Sequence, residues 1–236
     1  LQRRGFKESN MTLNDLPEIK MVRHARARNL RLRVEPSGIR LTIPLFCSRK
    51  QVQQFLAHSE QWLIDTWHKQ QTQFNHSTVF PAQISLFHHA EPFRIIQQAQ
   101  RAIFKFDWQQ QTLFIREQQP EQALQAAVIA YAKQYLVKYL QQISQQIALP
   151  YQACAIRRPK TRWGSCSSKH DIMLNAALVL MPKEIVRAVC VHELVHTKHF
   201  DHSAVFWNEV AKHDTEYLQH RRQLKNTQLP AWWYLS

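Results

Sequence analysis

The sequence predicts an α+β fold in which a β-rich subdomain precedes a domain that is dominated by helices. Apolar and polar residues alternate with a period of two over residues 18–46, as they do in half-buried strands. Apolar residues recur at helical spacing from 120 to 148, and two shorter helical patterns follow residue 182. We therefore divide the chain into four parts: an N-terminal tail over 1–16, a β-rich subdomain with one helix over 17–117, the second domain over 118–228 and a C-terminal tail over 229–236.

Three short strands open the β-rich subdomain, with a Pro36-Ser37-Gly38 turn before the third. Their alternation places the leucines on one face and the arginines on the other. Ser48 is a suitable N-cap for a helix that runs to about Gln70. The strands expected in this subdomain are 19–23, 30–34, 39–43, 84–87, 93–96, 103–106 and 113–115.

The second domain begins with a long helix from Pro120 to about Ala148, because proline suits the first helical turn. Pro182 opens the next helix in the same way. Ser203 can cap a further helix, whose apolar positions continue to Tyr217. Three strands are expected between the first two of these helices, at 153–156, 163–167 and 172–175.

The helix after Pro182 contains His-Glu-Leu-Val-His at 192–196, a spacing that is typical of zinc hydrolases. Residues four apart share one face of a helix, so the His192 and His196 imidazoles can reach one ion. Glu193 can then act as a general base beside an open coordination position. The alternative is that two histidines share a helix face without binding a ligand. We favour the zinc site.

A catalytic zinc site needs a third protein ligand, and three candidates follow the motif: His199, His202 and Glu209. His199 lies about 10 Å beyond His192 along a continuous helix, which Zn–N bonds of about 2 Å cannot bridge. His202 can fold back if the helix ends before it. Glu209 on the following helix would give a His-His-Glu set. We favour His202 and keep Glu209 as the alternative.

The residues around this motif resemble the YgjP-like metallopeptidase domain, a bacterial family related to the WLM and SprT-like zinc proteases. The resemblance covers about residues 17–226 and is densest over 161–207. It implies a small zincin-like metallopeptidase domain with a Zn²⁺ cofactor, and leaves the protein or peptide substrate undefined. It implies that His192, His196 and His202 bind the metal and that Glu193 is the catalytic base. The matching segments are Arg162-Trp163-Gly164-Ser165-Cys166-Ser167, Leu174-Asn175, the 192–196 motif, His202-Ser203 and Phe206-Trp207.

Asn175 is a candidate substrate-binding residue, because zinc peptidases of this class bind their substrate as an added strand at the edge of a sheet. Its side chain can hydrogen-bond a substrate amide. Alternatively, it satisfies the turn before the helix, and the sequence does not decide between the two. The residue that stabilises the oxyanion is also open, with His199, Arg162 and Tyr217 as candidates.

Two functions remain as alternatives to peptide hydrolysis. A metal-activated water can also attack a non-peptide amide or an ester. A DNA-binding protein can instead keep zinc for structure alone, but such a site is closed by a fourth ligand. The sequence supplies no obvious fourth ligand beyond His199.

The chain is strongly basic, with a formal net charge of +14. A surface this basic attracts nucleic acid, acidic protein or anionic lipid. The related SprT-like and WLM proteases act on proteins attached to DNA, which suggests DNA as a partner through Arg157, Arg158 and Lys160. A solvated basic face without a partner is the alternative that we slightly favour. The basic residues form two clusters: Arg23, Arg26, Arg28, Arg31 and Arg33, then Arg157, Arg158, Lys160 and Arg162.

The four cysteines show no C-x-x-C pairing and no disulfide-like spacing. The N-terminus is polar and lacks the apolar segment of a signal peptide, and the longest apolar run, 176–181, is too short to span a bilayer. We therefore expect reduced thiols, a cytoplasmic location and no membrane association. We favour packing over nucleophilic chemistry for Cys166 and Cys190.

Overall fold

The computed structural model describes residues 16–35, 38–75 and 80–234, which form two compact units that meet in sequence at Val79 and Phe80. Both units contain strands and helices, which confirms the predicted α+β class. The tail over 1–15 and the turn residues Pro36 and Ser37 lie outside the described residues.

The first unit is a three-stranded sheet with two helices. The central strand β3 pairs with β1 in parallel and with β2 antiparallel. Ser48 caps the first helix in a capping box with Gln51, as its position predicts, but Ser59 interrupts the single helix that we expected. The elements are β1 (Ile19–Arg23), β2 (Arg31–Glu35), β3 (Gly38–Ile43), α1 (Arg49–His58) and α2 (Glu60–Asn75).

The second unit begins with a four-stranded sheet that packs on a long helix, in the strand order β4-β5-β7-β6. Tyr131 of the helix contacts Phe106 of the sheet, with ring centroids 6.1 Å apart. The sheet therefore shares its core with the helix that carries the 192–196 motif, although its strands fall within the β-rich subdomain predicted over 17–117. Alternation identifies a strand without identifying the core that it faces. The elements are β4 (Gln83–Ile84), β5 (Phe93–Gln98), β6 (Phe104–Asp107), β7 (Thr112–Arg116) and α3 (Pro120–Ile147).

A second sheet and three helices complete this unit and carry the metal motif. The central strand β10 pairs with β8 in parallel and with β9 antiparallel. Asp214 ends the helix that follows Ser203, so Tyr217 begins a separate helix rather than continuing it. The elements are β8 (Ala153–Arg157), β9 (Gly164–Cys166), β10 (Asp171–Asn175), α4 (Lys183–Val195), α5 (Ala204–His213) and α6 (Tyr217–Asn226).

Leu229, Trp232 and Trp233 belong to this core, whereas the sequence predicts a tail over 229–236. Trp232 and Trp233 are only 7% and 3% exposed. The Arg158 guanidinium lies over the Trp233 ring, 5.0 Å from its centroid, and donates to the Trp233 carbonyl and to Gln125 Oε1. Gln125 in turn donates to the Trp232 carbonyl at 2.6 Å. Two large apolar rings are more stable buried than in water, which explains the order of this segment.

The helices of the described ranges are all too short or too polar to cross a lipid bilayer.

Candidate metal centre

The chain reverses direction immediately after α4, and this reversal shapes the site. The turn is closed by backbone hydrogen bonds from Thr197 and Lys198 to the last turn of α4. The Thr197 hydroxyl also donates to the Leu194 carbonyl at 2.8 Å. The helix therefore ends before residue 199, as the His202 alternative required, and the chain folds back towards the motif.

The reversal brings His192, His196 and His202 together, with ligand atoms that all lie within 4.8 Å of one another. The Nε2 atoms of His192 and His202 are 3.2 Å apart. Two nitrogens on one tetrahedral zinc, with Zn–N bonds of about 2.05 Å, lie about 3.3 Å apart. The donor set and this spacing fit a zinc ion. Within the part of the chain that the structure describes, no other group of three potential metal ligands comes together.

Two of the histidines, His192 and His196, are held in the neutral form that metals bind. His196 Nδ1 lies 2.9 Å from the His199 carbonyl oxygen. That carbonyl can only accept, so Nδ1 carries the proton and Nε2 offers its lone pair. Burial lowers the pKa of His196 and lowers that of His192 to about 3, where neighbouring histidines act in the same direction. Both imidazoles are therefore neutral at physiological pH.

Glu209, the alternative third ligand, does not join this cluster. Its buried carboxylate accepts hydrogen bonds from Lys198 at 3.0 Å and from Lys212 at 2.7 Å. These two ammonium groups lower the pKa of Glu209 to about 2. Glu209 thus ties α5 to the turn after α4.

Glu193 lies beside the histidines and against strand β9. Its side chain is 5% exposed, and burial raises its pKa to about 8, an effect that the charge of Arg162 partly offsets. A Cβ atom added to Gly164 would lie only 2.6 Å from Cγ and Cδ of Glu193. Glycine at this position therefore leaves the space that the carboxylate occupies.

Two aromatic residues of α5 surround the histidines. The buried Phe206 ring lies 5.0 Å from His192, 4.5 Å from His196 and 4.9 Å from His202, measured between ring centroids. Trp207 stacks on His202 at 5.7 Å. In the sequence, only the family resemblance indicates that these two aromatic residues belong to the site. Their helical spacing alone is equally typical of residues that pack in the core.

The Asn175 side chain is occupied within the protein. Its amide nitrogen donates to the carbonyls of Pro159 and Arg162, both at 3.0 Å, and its oxygen accepts from the Ala177 backbone at 3.0 Å. Asn175 is 3% exposed and holds the loop that leads to Gly164. The side chain thus fills the structural role that was the alternative to substrate binding.

The residues of the second basic cluster differ in whether their side chains are engaged within the protein. Arg158 makes the contacts with Gln125 and Trp233 described above, so its guanidinium is engaged within the unit. Arg157 and Lys160 are exposed, as Arg158 is. They remain candidate contacts for an anionic partner, whereas Arg158 is better explained by its internal contacts.

The cysteines near the site do not have the character of nucleophiles. Burial raises the pKa of the Cys166 thiol to about 11, and it raises that of the fully buried Cys190 as well. A cysteine nucleophile requires a lowered pKa. Both residues contribute to packing.

A cleft of about 280 Å³ adjoins His192 and Glu193 and lies beside α4, α5 and α6. Tyr217, one candidate for the oxyanion helper, lines this cleft. So does a pair that the sequence did not indicate: His220 Nδ1 lies 2.9 Å from Asp214 Oδ2, and both are buried. Asp214 caps the end of α5 and His220 lies six residues later on α6, a spacing that no motif describes. The lining also includes Trp163, Gly164, Ile185, Ala188, Val189, Trp207, Val210, Arg221 and Leu224.

Comparison with known proteins identifies the class of this fold and site. The YgjP-like metallopeptidase domain matches residues 28–227. The chain therefore belongs to the YgjP-like metallopeptidase family. No curated protein shows significant similarity to it.

Two solved structures share limited similarity with the chain. The metallopeptidase zymogen abylysin of Pyrococcus abyssi is 23% identical over 39% of this chain and 94% of its own, with a TM-score of 0.33. The metallopeptidase zymogen jannalysin of Methanocaldococcus jannaschii is 20% identical over 39% of this chain and 97% of its own, also with a TM-score of 0.33.

The contact between Gly164 and Glu193 can be tested by a double-mutant cycle. Gly164→Ala should lower the free energy of unfolding by about 1–3 kcal/mol, because the new methyl group overlaps the Glu193 side chain. In a Glu193→Ala background the same change should cost much less, since the overlapping atoms are gone. Urea denaturation of the four proteins measures the coupling. Equal costs in both backgrounds would contradict the close approach.

Proposed function

We propose that the protein is a zinc-dependent metallopeptidase in which His192, His196 and His202 bind the metal and Glu193 is the general base. The observation that carries this proposal is the convergence of three imidazole nitrogens within 4.8 Å, beside a buried carboxylate. Membership of a metallopeptidase family supports the reaction class. The four cysteines are free thiols, which suits the reducing cytoplasm in which we place the protein.

Three ligands fit a catalytic site better than a structural one. A structural zinc site is closed by four protein ligands, whereas a catalytic site keeps one position for water or substrate. The cluster comprises three histidines among the described residues. The two candidates for a fourth ligand lie outside this cluster: His199 is not among the converging ligands, and the Glu209 carboxylate is paired with two lysines. This arrangement argues against a DNA-binding protein that keeps zinc only for structure.

Glu193 performs the proton transfers of the reaction. When bound, zinc supplies Lewis-acid activation of water and of the substrate carbonyl group. Beside the bound metal, whose positive charge favours the ionised carboxylate, Glu193 accepts a proton from the water and passes it to the leaving amine. Its burial against Gly164 holds the carboxylate in place, and exclusion of bulk water strengthens its electrostatic interactions.

The outer edge of β9 is the place where we expect an extended peptide to bind. β9 is an edge strand that pairs only with β10 among the described strands, and it carries Gly164 beside Glu193. An added strand would be recognised through main-chain hydrogen bonds. This assigns peptide binding to the backbone of β9 rather than to the Asn175 side chain. A non-peptide amide or ester remains the alternative substrate, because the same groups can hydrolyse it.

The ligand set predicts metal content. His202→Ala should weaken zinc binding by more than about 100-fold, the upper end of the effect of losing an outer-shell partner. Glu209→Gln should retain about one zinc per chain. Elemental analysis after dialysis against a weak chelator, with circular dichroism to confirm folding, measures both. Loss of zinc from Glu209→Gln but not from His202→Ala would establish the His-His-Glu set instead.

If Glu193 is the general base, Glu193→Gln should lose activity. The amide keeps the shape of the side chain but cannot accept a proton, so turnover should fall by about 10² to 10⁴. Zinc content and the melting temperature of the zinc-loaded protein should stay close to wild type. The assay is cleavage of denatured casein by metal-loaded protein, followed by mass spectrometry. Wild-type rates in this variant would exclude Glu193 from the mechanism.

We also propose that the protein binds a polyanion such as DNA, supported by the open face of the first unit. Arg40 on the central strand is flanked in register by Lys20 on β1 and Arg33 on β2. Arg31 projects from the same face two residues before Arg33. Like charges directly opposite one another destabilise a sheet by several tenths of a kcal/mol, roughly, and an anion relieves that repulsion.

The salt dependence of DNA binding tests this second proposal. Neutralising Lys20, Arg33 and Arg40 should flatten the log–log slope of affinity against salt by about two to three units, since each phosphate contact contributes about 0.7 to 0.9. A matched Arg157→Gln/Lys160→Gln variant tests the second cluster without disturbing Arg158. Fluorescence anisotropy with unrelated duplexes gives the slopes. Undetectable binding at about 50 mM salt would instead establish a solvated basic face.

A further inference from the structure

The cleft beside the metal site extends along α4, away from Glu193. Ile185 lines it and lies seven residues before His192, which corresponds to about 10 Å along the helix. Most of its walls are apolar, formed by side chains such as Val189, Val210 and Leu224. A group bound here would be adjacent to the atoms that carry out the proposed reaction.

One permanent positive charge lines this cleft. The Arg221 guanidinium lies over the indole of Trp207, with Cζ 4.7 Å from the ring centroid. Trp207 in turn contacts the rings of His192 at 5.6 Å and His202 at 5.7 Å. The indole thus holds the guanidinium close to the three histidines through a cation–π contact.

Arg221 lacks an ion-pair partner in the described part of the chain. The acidic groups nearest in sequence interact with a different residue: Asp214 with His220 at 2.9 Å, and Glu216 with His220 at 3.9 Å. Other cations of the same region do have carboxylate partners, since Lys198 and Lys212 both contact Glu209. The charge of Arg221 is thus left to interact with solvent or with a ligand.

We propose that Arg221 is a specificity-determining residue that binds a carboxylate of the substrate. An arginine fork matches a carboxylate in two parallel hydrogen bonds, and the apolar walls suit the aliphatic part of the same residue. The carboxylate belongs either to an acidic side chain or to the C-terminus of a peptide. This inference rests on the proposed peptidase function and adds a preference for acidic substrates to it.

Matched peptides test the preference. Quenched fluorescent peptides of one sequence would carry Glu or Gln at each position around the cleavage site, and a second pair would end in a free acid or an amide. In one of these pairs, zinc-loaded wild-type protein should cleave the acidic peptide with a kcat/KM about tenfold higher than that of the neutral peptide. This ratio is the effect of one hydrogen bond between charged groups. The pair that shows the difference identifies the source of the carboxylate.

Three variants assign this preference to Arg221. Arg221→Met keeps the bulk of the side chain without its charge and should cleave acid and neutral peptides equally. Arg221→Lys should restore part of the preference. Arg222→Ala is the matched control, because Arg222 is exposed on the same helix and does not line the cleft; it should retain the preference in full. Melting temperatures confirm that each variant is folded.

A binding measurement separates this inference from the proposed function. Zinc-loaded Glu193→Gln protein should bind the acidic peptide about tenfold more tightly than the neutral one, and adding Arg221→Met should remove the difference. This result would support the role of Arg221 even if no peptide were cleaved. Cleavage without discrimination, and with no effect of Arg221→Met, would overturn the inference and leave the peptidase function intact. Equal binding of both peptides would also overturn it.

Discussion

The site depends on the reversal of the chain between α4 and α5, and a buried carboxylate fixes that reversal. Glu209 on α5 accepts hydrogen bonds from Lys198 in the turn and from Lys212 on its own helix. The two charge-assisted hydrogen bonds favour one position of this carboxylate and thus of α5 relative to the turn. The position of α5 then determines where His202, Phe206 and Trp207 meet the two motif histidines. Glu209, which the sequence offers as an alternative metal ligand, thus helps to position His202 beside the two motif histidines.

Local patterns in the sequence were sufficient to predict most of the helices and strands and to identify the 192–196 motif. The strands around Leu41 and Leu174, the long helix from Pro120 and the capping role of Ser48 all follow from alternation, helical spacing and capping chemistry. The pairing of His192 and His196 follows from one helical turn. These features depend on contacts between residues that are close together in the chain, so they can be recognised from the sequence alone.

The remaining features depend on contacts between distant residues, and the sequence did not reveal them. The strands over 83–116 alternate like those of the first unit, but Phe106 packs on Tyr131 of α3 in the second unit. Trp232 and Trp233 looked like a tail because no periodic pattern accompanies them. Arg158 looked like part of a basic surface because its partners Gln125 and Trp233 are 33 and 75 residues away. The Asn175 and Gly164 contacts likewise join separate parts of the chain.

The packing of the C-terminal tryptophans has a consequence for the order in which the site is completed during synthesis. The loop between β8 and β9 is held by Arg158 at its start and by Asn175, which bonds to the Pro159 and Arg162 carbonyls, and it leads directly to Gly164 beside the Glu193 carboxylate. The anchor at Arg158 requires the carbonyl of Trp233. A nascent chain on the ribosome therefore lacks one support of this loop until residue 233 has emerged. The loop beside Glu193 therefore gains its full support only after residue 233 has been synthesised.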